Sequence, residues 1–195
     1  SYGWAYNDTD IMPEKNIEKA KQLLEEAGYK EDENGIRLKA DLVYFQGDMY
    51  DKTAKVVQAN LKEIGIDVVL NQLEMGSWMQ KCIQEKDYDF SLIAGSQMPD
   101  PSNTEMRFGP DGPLQYMNYN NQEIGQLYAK ARLTVNTDER EEAYIQIQKI
   151  LSQDLPIMPL ADVSFPIVTS SKVHGYYDKE AEKSYPAYHL IWLEK

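Results

Sequence analysis

The chain contains few side chains whose type and spacing suit catalysis or metal binding. Its only histidines, His174 and His189, lack the spacing of a zinc pair, and Cys82 is the single cysteine. One cysteine excludes an internal disulfide and a cysteine-based zinc site, and its position in a helical pattern favours a small core residue. The sequence also lacks a glycine-rich phosphate loop and a Gly-x-Ser-x-Gly elbow. We therefore predict no metal site, no cofactor and no catalytic residue.

Two carboxylates, Asp87 and Asp89, are close in sequence and lie on one face if the segment is extended. Such a pair can perform acid–base chemistry when its two pKa values are well separated. The same pattern also marks the entrance to a strand, since Tyr88 and Phe90 occupy the alternate face. We adopt the strand entrance, and the alternative is a carboxylate-based hydrolase that uses Asp87, Asp89 or Asp100.

Residues 88–112 begin as a strand and continue as a long loop, and the rest of the chain is organised around them. Four of the nine prolines fall in or next to this loop, and because proline cannot extend a ladder, we expect no regular element there. A loop at the carboxyl end of a strand in an α/β sheet lies where such sheets bind ligands; the alternative is a surface connection without a role. Tyr116, Met117 and Asn118 follow, and they either line an adaptable binding surface or pack in the core.

The composition indicates an ordinary globular protein and excludes two classes of partner. Of 195 residues, 42% are hydrophobic and 27% charged, which suits one domain or one domain with an appendage. The formal net charge of -12 argues against nucleic acid, because a phosphate backbone requires clustered cations. It also argues against anionic lipid surfaces. No apolar run approaches the length of a membrane span.

Periodicity predicts alternating strands and helices before the loop and two helices after it. The alternation predicts a mostly parallel sheet flanked by helices. Residues 68–70, Val-Val-Leu, predict burial of the second strand on both faces. The predicted strands cover 37–45, 66–73 and 88–94. Three predicted helices cover 51–64, 76–85 and 123–133. Two more helices are predicted to begin after the N-cap residues Asn16 and Thr137.

From residue 157 onward the helical periodicity disappears. Residues 157–160 and 165–169 are typical of strands, and aromatic side chains cluster at Tyr176, Tyr177, Tyr185, Tyr188 and Trp192. We expect this tail to pack back on the preceding domain, to pair with another copy or to be mobile, because exposed apolar groups favour contact.

Several segments, taken in order, resemble one protein family. They are residues 16–29 (NIEKAKQLLEEAGY), 58–69 (QANLKEIGIDVV), 87–89 (DYD), 98–101 (MPDP), 139–140 (ER) and 156–160 (PIMPL). Their order and spacing resemble the family 5 extracellular solute-binding proteins, which serve ABC importers for oligopeptides, dipeptides and nickel. The resemblance covers nearly the whole chain, but it matches only the C-terminal portion of the family.

The resemblance implies an α/β fold that forms one lobe of a periplasmic-binding-protein-like, type II clam-shell structure. Its mainly parallel sheet is flanked by helices, and a C-terminal β-rich tail crosses the hinge. Residues 1–155 would be the C-terminal α/β lobe, and residues 156–195 would be hinge-crossing strands that complete the other lobe. Most of that N-terminal lobe would be missing, so we expect the chain to be a fragment; its opening residues, SYGW, do not form a signal peptide.

The function implied by the resemblance is non-catalytic solute binding outside the cytoplasm, in the periplasm or on a cell-surface lipoprotein. The partners would be a small peptide or similar solute, the ABC transporter permease subunits and the missing N-terminal lobe of the same protein. An oligosaccharide or a nickel chelate is the alternative ligand.

The resemblance also implies which residues contact ligand. In peptide binders the loop often reads Asp-Tyr-x-Asp/Glu-Pro, and its first acid holds the amino terminus of the peptide. That position is Gln97 here, which carries no charge, so Asp100 becomes the expected partner of a ligand amine. The predicted ligand-binding residues are Ser96, Gln97, Met98, Asp100, Tyr116, Met117 and Asn118.

Overall fold

A computed structural model describes residues 3–7, 12–95, 100–162, 167–176 and 188–194 of the chain. In these ranges helices and strands alternate up to the central loop, and helices dominate after it. The helices are α1 Ile17–Glu26, α2 Asp48–Lys62, α3 Met75–Trp78, which continues as a π-helix over Met79–Glu85, α4 Glu105–Phe108, α5 Gln122–Arg132 and α6 Thr137–Asp154. The strands are β1 Leu38–Phe45, β2 Ile66–Leu73, β3 Phe90–Leu92, β4 Val173–His174 and β5 Trp192–Leu193.

The first three strands form one parallel sheet in the order β2-β1-β3. β1 is central because both of its faces are apolar: Leu42 is buried on one face and Val43 on the other. The face of Leu42 is covered by α2, whose Ala54 is fully buried. The opposite face is covered by Trp78 and Cys82 from α3 and the π-helix. The predicted parallel sheet of three strands is confirmed.

The prediction that β2 is buried on both faces is wrong. Val68 is buried, but Val69 is 59% exposed. β2 pairs only with β1 in the order β2-β1-β3, so it is an edge strand with one face on the core. A run of apolar residues therefore did not indicate a central strand here, because β-branched residues also occur on exposed pleats.

The helices α5 and α6 pack against each other and share a second hydrophobic core. Ile124 and Tyr128 of α5 pack with Tyr144 and Ile147 of α6, as the periodicity predicts. Both helices begin at an asparagine whose side chain accepts backbone N–H bonds of the first turn. For α6 the cap is Asn136, one residue before the predicted Thr137, because Oδ1 of Asn136 accepts from the backbone N–H groups of Asp138 and Glu139.

The expectation that no regular element runs through the central loop is wrong. Pro101 begins a 3-10 helix, Pro101–Thr104, that leads directly into α4. Proline is compatible with the first position of a helix, since its missing N–H would have no intrahelical partner there. The Asp100 side chain caps this turn by accepting from the Ser102 N–H at 2.9 Å.

The tail differs from the predicted strands. Residues 157–160 are not a strand, because Pro156 before them and Pro159 among them cannot extend a ladder. Residues 167–169 are also irregular, and 165–166 lie outside the described residues. Instead, β4 and β5 pair antiparallel with each other, and His174 stacks on Trp192 with ring centroids 4.3 Å apart. Tyr177 and Tyr185 lie outside the described residues.

Candidate functional site

The central loop leaves the carboxyl end of the parallel sheet, where β3 ends at Leu92. This is the edge at which open α/β sheets bind ligands. Three of the predicted ligand-binding residues, Ser96, Gln97 and Met98, lie outside the described residues, so their role stays a prediction. The described part of the loop resumes at Asp100.

Asp100 faces a cation rather than open space. Its two carboxylate oxygens accept from Nη2 of Arg140 at 3.0 and 3.1 Å. Burial by itself raises the pKa of the Asp100 carboxyl, but the hydrogen bonds from Ser102 and Arg140 outweigh burial and hold this pKa below its usual value. Asp100 is therefore ionised at neutral pH, and a ligand amine would have to share it with Arg140.

Arg140 connects the loop to the amino-terminal segment as well as to α6. Its guanidinium lies 5.1 Å from the ring centre of Trp4 and 5.8 Å from that of Tyr144. The 3-10 turn Gly3–Ala5 that carries Trp4 is held in place by Gln148, whose amide donates to the Ala5 carbonyl at 2.7 Å. The Asp100–Arg140 pair thus joins two of the segments that carried the family resemblance, 98–101 and 139–140.

The predicted residues after the loop divide between core and surface. Tyr116 is only 4% exposed and packs edge-on against Trp78, so its side chain lies in the interior. Met117 is partly buried against the core of α5 and α6. Asn118 is exposed and has a φ of 52°, a left-handed turn conformation that asparagine tolerates well. Of these three predicted ligand-binding residues, only Asn118 has an exposed side chain.

The start of β3 is tied to the end of the loop by one hydroxyl group. The Tyr88 hydroxyl donates to the Tyr116 carbonyl at 2.5 Å. Burial raises the pKa of Tyr88 to about 12, so the hydroxyl remains a donor throughout the physiological range. Tyr88 itself precedes β3 and packs on the face of Trp78 and Cys82, whereas the predicted alternation grouped it with Phe90.

Asp87 and Asp89 do not converge as a catalytic pair. Asp89 and Asp41 exchange two hydrogen bonds, each carboxylate accepting from the other residue's backbone N–H at 2.8 and 2.9 Å. Asp87 pairs with Lys81 at 2.7 Å. These contacts agree with the strand-entrance interpretation. Across the residues that the structure covers, no group of three or more His, Cys, Asp or Glu side chains could hold a metal ion.

Sequence reasoning missed Arg107 and Arg140 as residues that shape this site. Arg107 is on α4, and its Nη1 lies 3.5 Å from the Tyr116 hydroxyl, to which it donates. Arg140 appeared in the sequence only as part of the resemblance. Only their residue type could have drawn attention to them in the sequence, since the chain has only four arginines.

One groove on the described surface does not coincide with the predicted ligand residues. It has a volume of about 630 Å³ and lies between the segment 102–113 and α5. Glycines, prolines and the Glu105–Arg132 ion pair line it, and Asp100, Tyr116, Met117 and Asn118 do not.

A family model described as "Bacterial extracellular solute-binding proteins, family 5 Middle" matches residues 1–114. Among curated proteins, the oligopeptide-binding protein AppA of Bacillus subtilis is 28% identical, over 98% of this chain and 37% of its own length. The nickel-binding protein NikA of Staphylococcus aureus is 25% identical, over 85% of this chain and 33% of its own. The chain therefore spans about a third of the length of these relatives.

Solved structures give the same result for the fold. The periplasmic binding protein DppA from Helicobacter pylori, in complex with the peptide STSA, is 28% identical with a TM-score of 0.76, over 98% of this chain and 37% of that one. AppA from Bacillus subtilis, in complex with a nonapeptide, is 26% identical with a TM-score of 0.73, over 98% of this chain and 40% of that one. The fold is thus a partial periplasmic-binding-protein-like α/β domain. The chain belongs to the bacterial extracellular solute-binding proteins of family 5.

Proposed function

We propose that the complete protein is the extracytoplasmic solute-binding subunit of an ABC importer, with an oligopeptide as its solute. In this proposal the protein binds and releases its solute without chemical change, and it acts with permease subunits in the periplasm or as a cell-surface lipoprotein. Among the described helices, none combines the length and the apolar character needed to cross a membrane.

The observation that supports this proposal most strongly is the match of nearly the whole chain to relatives solved with peptides. A match of this extent includes the parallel sheet and the helices α5 and α6. Both peptide-bound relatives superpose over 98% of this chain, so the likeness is not restricted to a common sheet motif.

We further propose that residues 1–155 are the C-terminal lobe and that 156–195 cross a hinge to the other lobe. α6 ends at Asp154, and the φ of 48° at the next residue, Leu155, turns the chain out of the helix. Beyond this point large apolar side chains are exposed, as for Val168 at 93% and Leu193 at 69%. A second lobe that covers them would remove this apolar surface from water.

We propose that Ser96, Gln97 and Met98 of the loop, and Asn118 after it, contact the solute directly. Asp100 would attract a ligand amine through its negative charge while it remains paired with Arg140. The ligand alternatives are a nickel chelate, in view of the relative NikA, and an oligosaccharide; a hydrolase would require converging carboxylates, whereas Asp87 and Asp89 have separate partners.

The test is calorimetry on the full-length protein with tri-alanine, its N-acetylated form and a nickel–histidine chelate. We expect tri-alanine to bind and acetylation to weaken binding roughly tenfold, because a charge-assisted hydrogen bond is lost. An Asp100→Asn variant should reduce the cost of acetylation. Binding of the chelate but not of tri-alanine would overturn the peptide assignment, and an unchanged cost of acetylation in Asp100→Asn would show that another acid holds the amine.

A further inference from the structure

The four arginines of the chain differ in one respect. Three of them pair with carboxylates: Arg37 with Glu25 and Glu31, Arg132 with Glu105, and Arg140 with Asp100. Within the described ranges, Arg107 has no carboxylate within ion-pair distance, although the chain contains 32 acidic residues and only 20 lysines and arginines. In such an acidic chain, an arginine without an anionic partner is the exception.

The position of Arg107 is defined by the elements around it. Its guanidinium lies against Gly95, just beyond the carboxyl end of β3: a Cβ built on Gly95 would be 3.1 Å from Nη2. A side chain at position 95 would therefore push the guanidinium away. On the other side, Nη1 donates to the hydroxyl of the buried Tyr116. The guanidinium thus lies between the backbone of Gly95 and the hydroxyl of Tyr116. Both groups are uncharged, so neither neutralises its positive charge.

Three acidic residues lie within seven positions of Arg107; two of them are paired elsewhere, and the third, Asp111, forms no ion pair with Arg107. Glu105, on the same helical turn, pairs with Arg132. Asp100 pairs with Arg140 and caps the 3-10 helix. The intervening loop residues 96–99 are Ser, Gln, Met and Pro, none of which is acidic. The positive charge of Arg107, near the end of β3, is therefore not paired with a carboxylate, whereas the charge of Asp100 is neutralised by Arg140 of α6.

We propose that Arg107 binds a carboxylate of the solute at the carboxyl edge of the sheet. This inference rests on the proposed function, since it assumes that the solute binds at this edge. A planar guanidinium with several N–H donors suits a carboxylate, which can accept two parallel hydrogen bonds. Withdrawal from water behind a second lobe strengthens such a contact, because the surrounding dielectric falls.

The first experiment uses calorimetry on the full-length protein with tri-alanine and its C-terminal amide. Wild type should bind the acid roughly 10- to 100-fold more tightly than the amide, which is the range for loss of a hydrogen bond between charged groups. Arg107→Gln should lose that preference by weakening binding of the acid alone. Arg107→Lys should retain part of it, because a lysine keeps the charge but not the fork of donors.

The matched control is Lys130→Gln, which also removes one positive charge but from an exposed pair with Glu142 between α5 and α6. It should bind both forms like wild type. The inference is overturned if wild type binds acid and amide equally, or if Arg107→Gln weakens both forms by the same factor. Unchanged urea midpoints in all variants would establish that the fold is intact.

A second experiment separates this inference from the peptide assignment. Solutes released by denaturing purified wild type, Arg107→Gln and Lys130→Gln are identified by mass spectrometry. Carboxylate-bearing solutes that are retained by wild type and Lys130→Gln but lost from Arg107→Gln support the role of Arg107, even when tri-alanine does not bind and the peptide proposal fails. Absence of any carboxylate-bearing solute from wild type, or its equal release from all three proteins, overturns it.

Discussion

The sheet and the helical pair hold the same loop in different ways. On the sheet side, the loop is anchored by the buried ring of Tyr116 against Trp78 and by the hydroxyl of Tyr88. On the helical side, the anchors are the Asp100–Arg140 ion pair and the contact between the hydroxyls of Thr104 and Tyr128, 2.7 Å apart. The sheet side depends mainly on apolar burial, whereas the helical side depends on directional polar contacts.

This difference indicates where the loop can adjust. Apolar packing tolerates small displacements only at the cost of voids, so the sheet fixes the position of β3 and of Tyr116. Polar contacts depend on individual partners, and either member of an ion pair such as Asp100–Arg140 can pair with another charged group instead. The loop therefore lies between a rigid sheet on one side and polar contacts on the other.

The largest expected effect is in the core of the sheet, and it compares two valines. Val43 on the central strand is fully buried, whereas Val69 on the edge strand is 59% exposed. Val43→Ala should lower the free energy of unfolding by about 2–3 kcal/mol, because burial is lost and a cavity remains. Val69→Ala should cost less than about 1 kcal/mol. Urea denaturation measures both, and equal costs would contradict the assignment of β2 as an edge strand with one buried face.

The next effect compares the two tyrosine anchors of the loop. Tyr88→Phe removes the donor to the Tyr116 carbonyl. Tyr128→Phe removes the donor to Thr104, whose own hydroxyl donates to the Pro101 carbonyl at 2.6 Å. Each substitution should lower the free energy of unfolding by about 1–2 kcal/mol, because a partly buried acceptor loses its partner. Hydrogen exchange should then rise near residues 116–119 in the first variant and near 101–104 in the second; a rise in the same residues for both would show that the two anchors are not separate.

A smaller effect is expected from the ion pair. In a double-mutant cycle with Asp100→Asn and Arg140→Gln, the coupling energy should be about 0.5–1 kcal/mol, since the Asp100 side chain is 46% exposed and solvent screens the pair. Urea denaturation of the wild type, both single variants and the double variant measures it. A coupling energy of zero at neutral pH would show that the pair does not hold the loop.

The coupling between Asp100 and Arg140 should also depend on pH in one direction. The pKa of Asp100 is lower in the folded protein than its ordinary value, which the unfolded chain retains. The stabilisation is therefore complete above the unfolded pKa of about 4 and is lost as the pH falls through the folded pKa. The stability difference between wild type and Asp100→Asn should shrink below pH 4; a difference that persists there would have another origin.

The sequence predicted the helices and strands whose apolar side chains repeat regularly. It did not predict local structure that depends on one contact or one proline. β1 and β2 were predicted to within one residue, because their apolar alternation is determined by burial. The helical turns after Asp100 were missed, because a proline can begin a helix as readily as it interrupts one. The strand over 157–160 was wrong because apolar composition does not supply a pairing partner.

The candidate site was less predictable than the fold. The resemblance indicated the loop after β3, but it did not indicate that Asp100 is paired with Arg140, which is distant in sequence. Tyr116 was predicted as a possible ligand contact, and its burial could not be known without the position of Trp78. Long-range pairs and the exposure of aromatic residues depend on tertiary packing, which local periodicity does not encode.

The smallest effect within the chain is expected in the tail, where Trp192 is 56% exposed and stacks on His174. Trp192→Ala should change the free energy of unfolding of the 195-residue chain by less than about 0.5 kcal/mol, because surface substitutions away from the core cost little. In the full-length protein the same substitution should cost about 3 kcal/mol if residues 156–195 cross to the other lobe, since a buried tryptophan would then be lost. Light scattering and limited proteolysis test the tail of the 195-residue chain in parallel: it should pack back on the preceding domain, pair with another copy or be cleaved before the sheet. Equal costs in the two proteins would mean that Trp192 stays exposed in both and would contradict the proposed crossing at this strand.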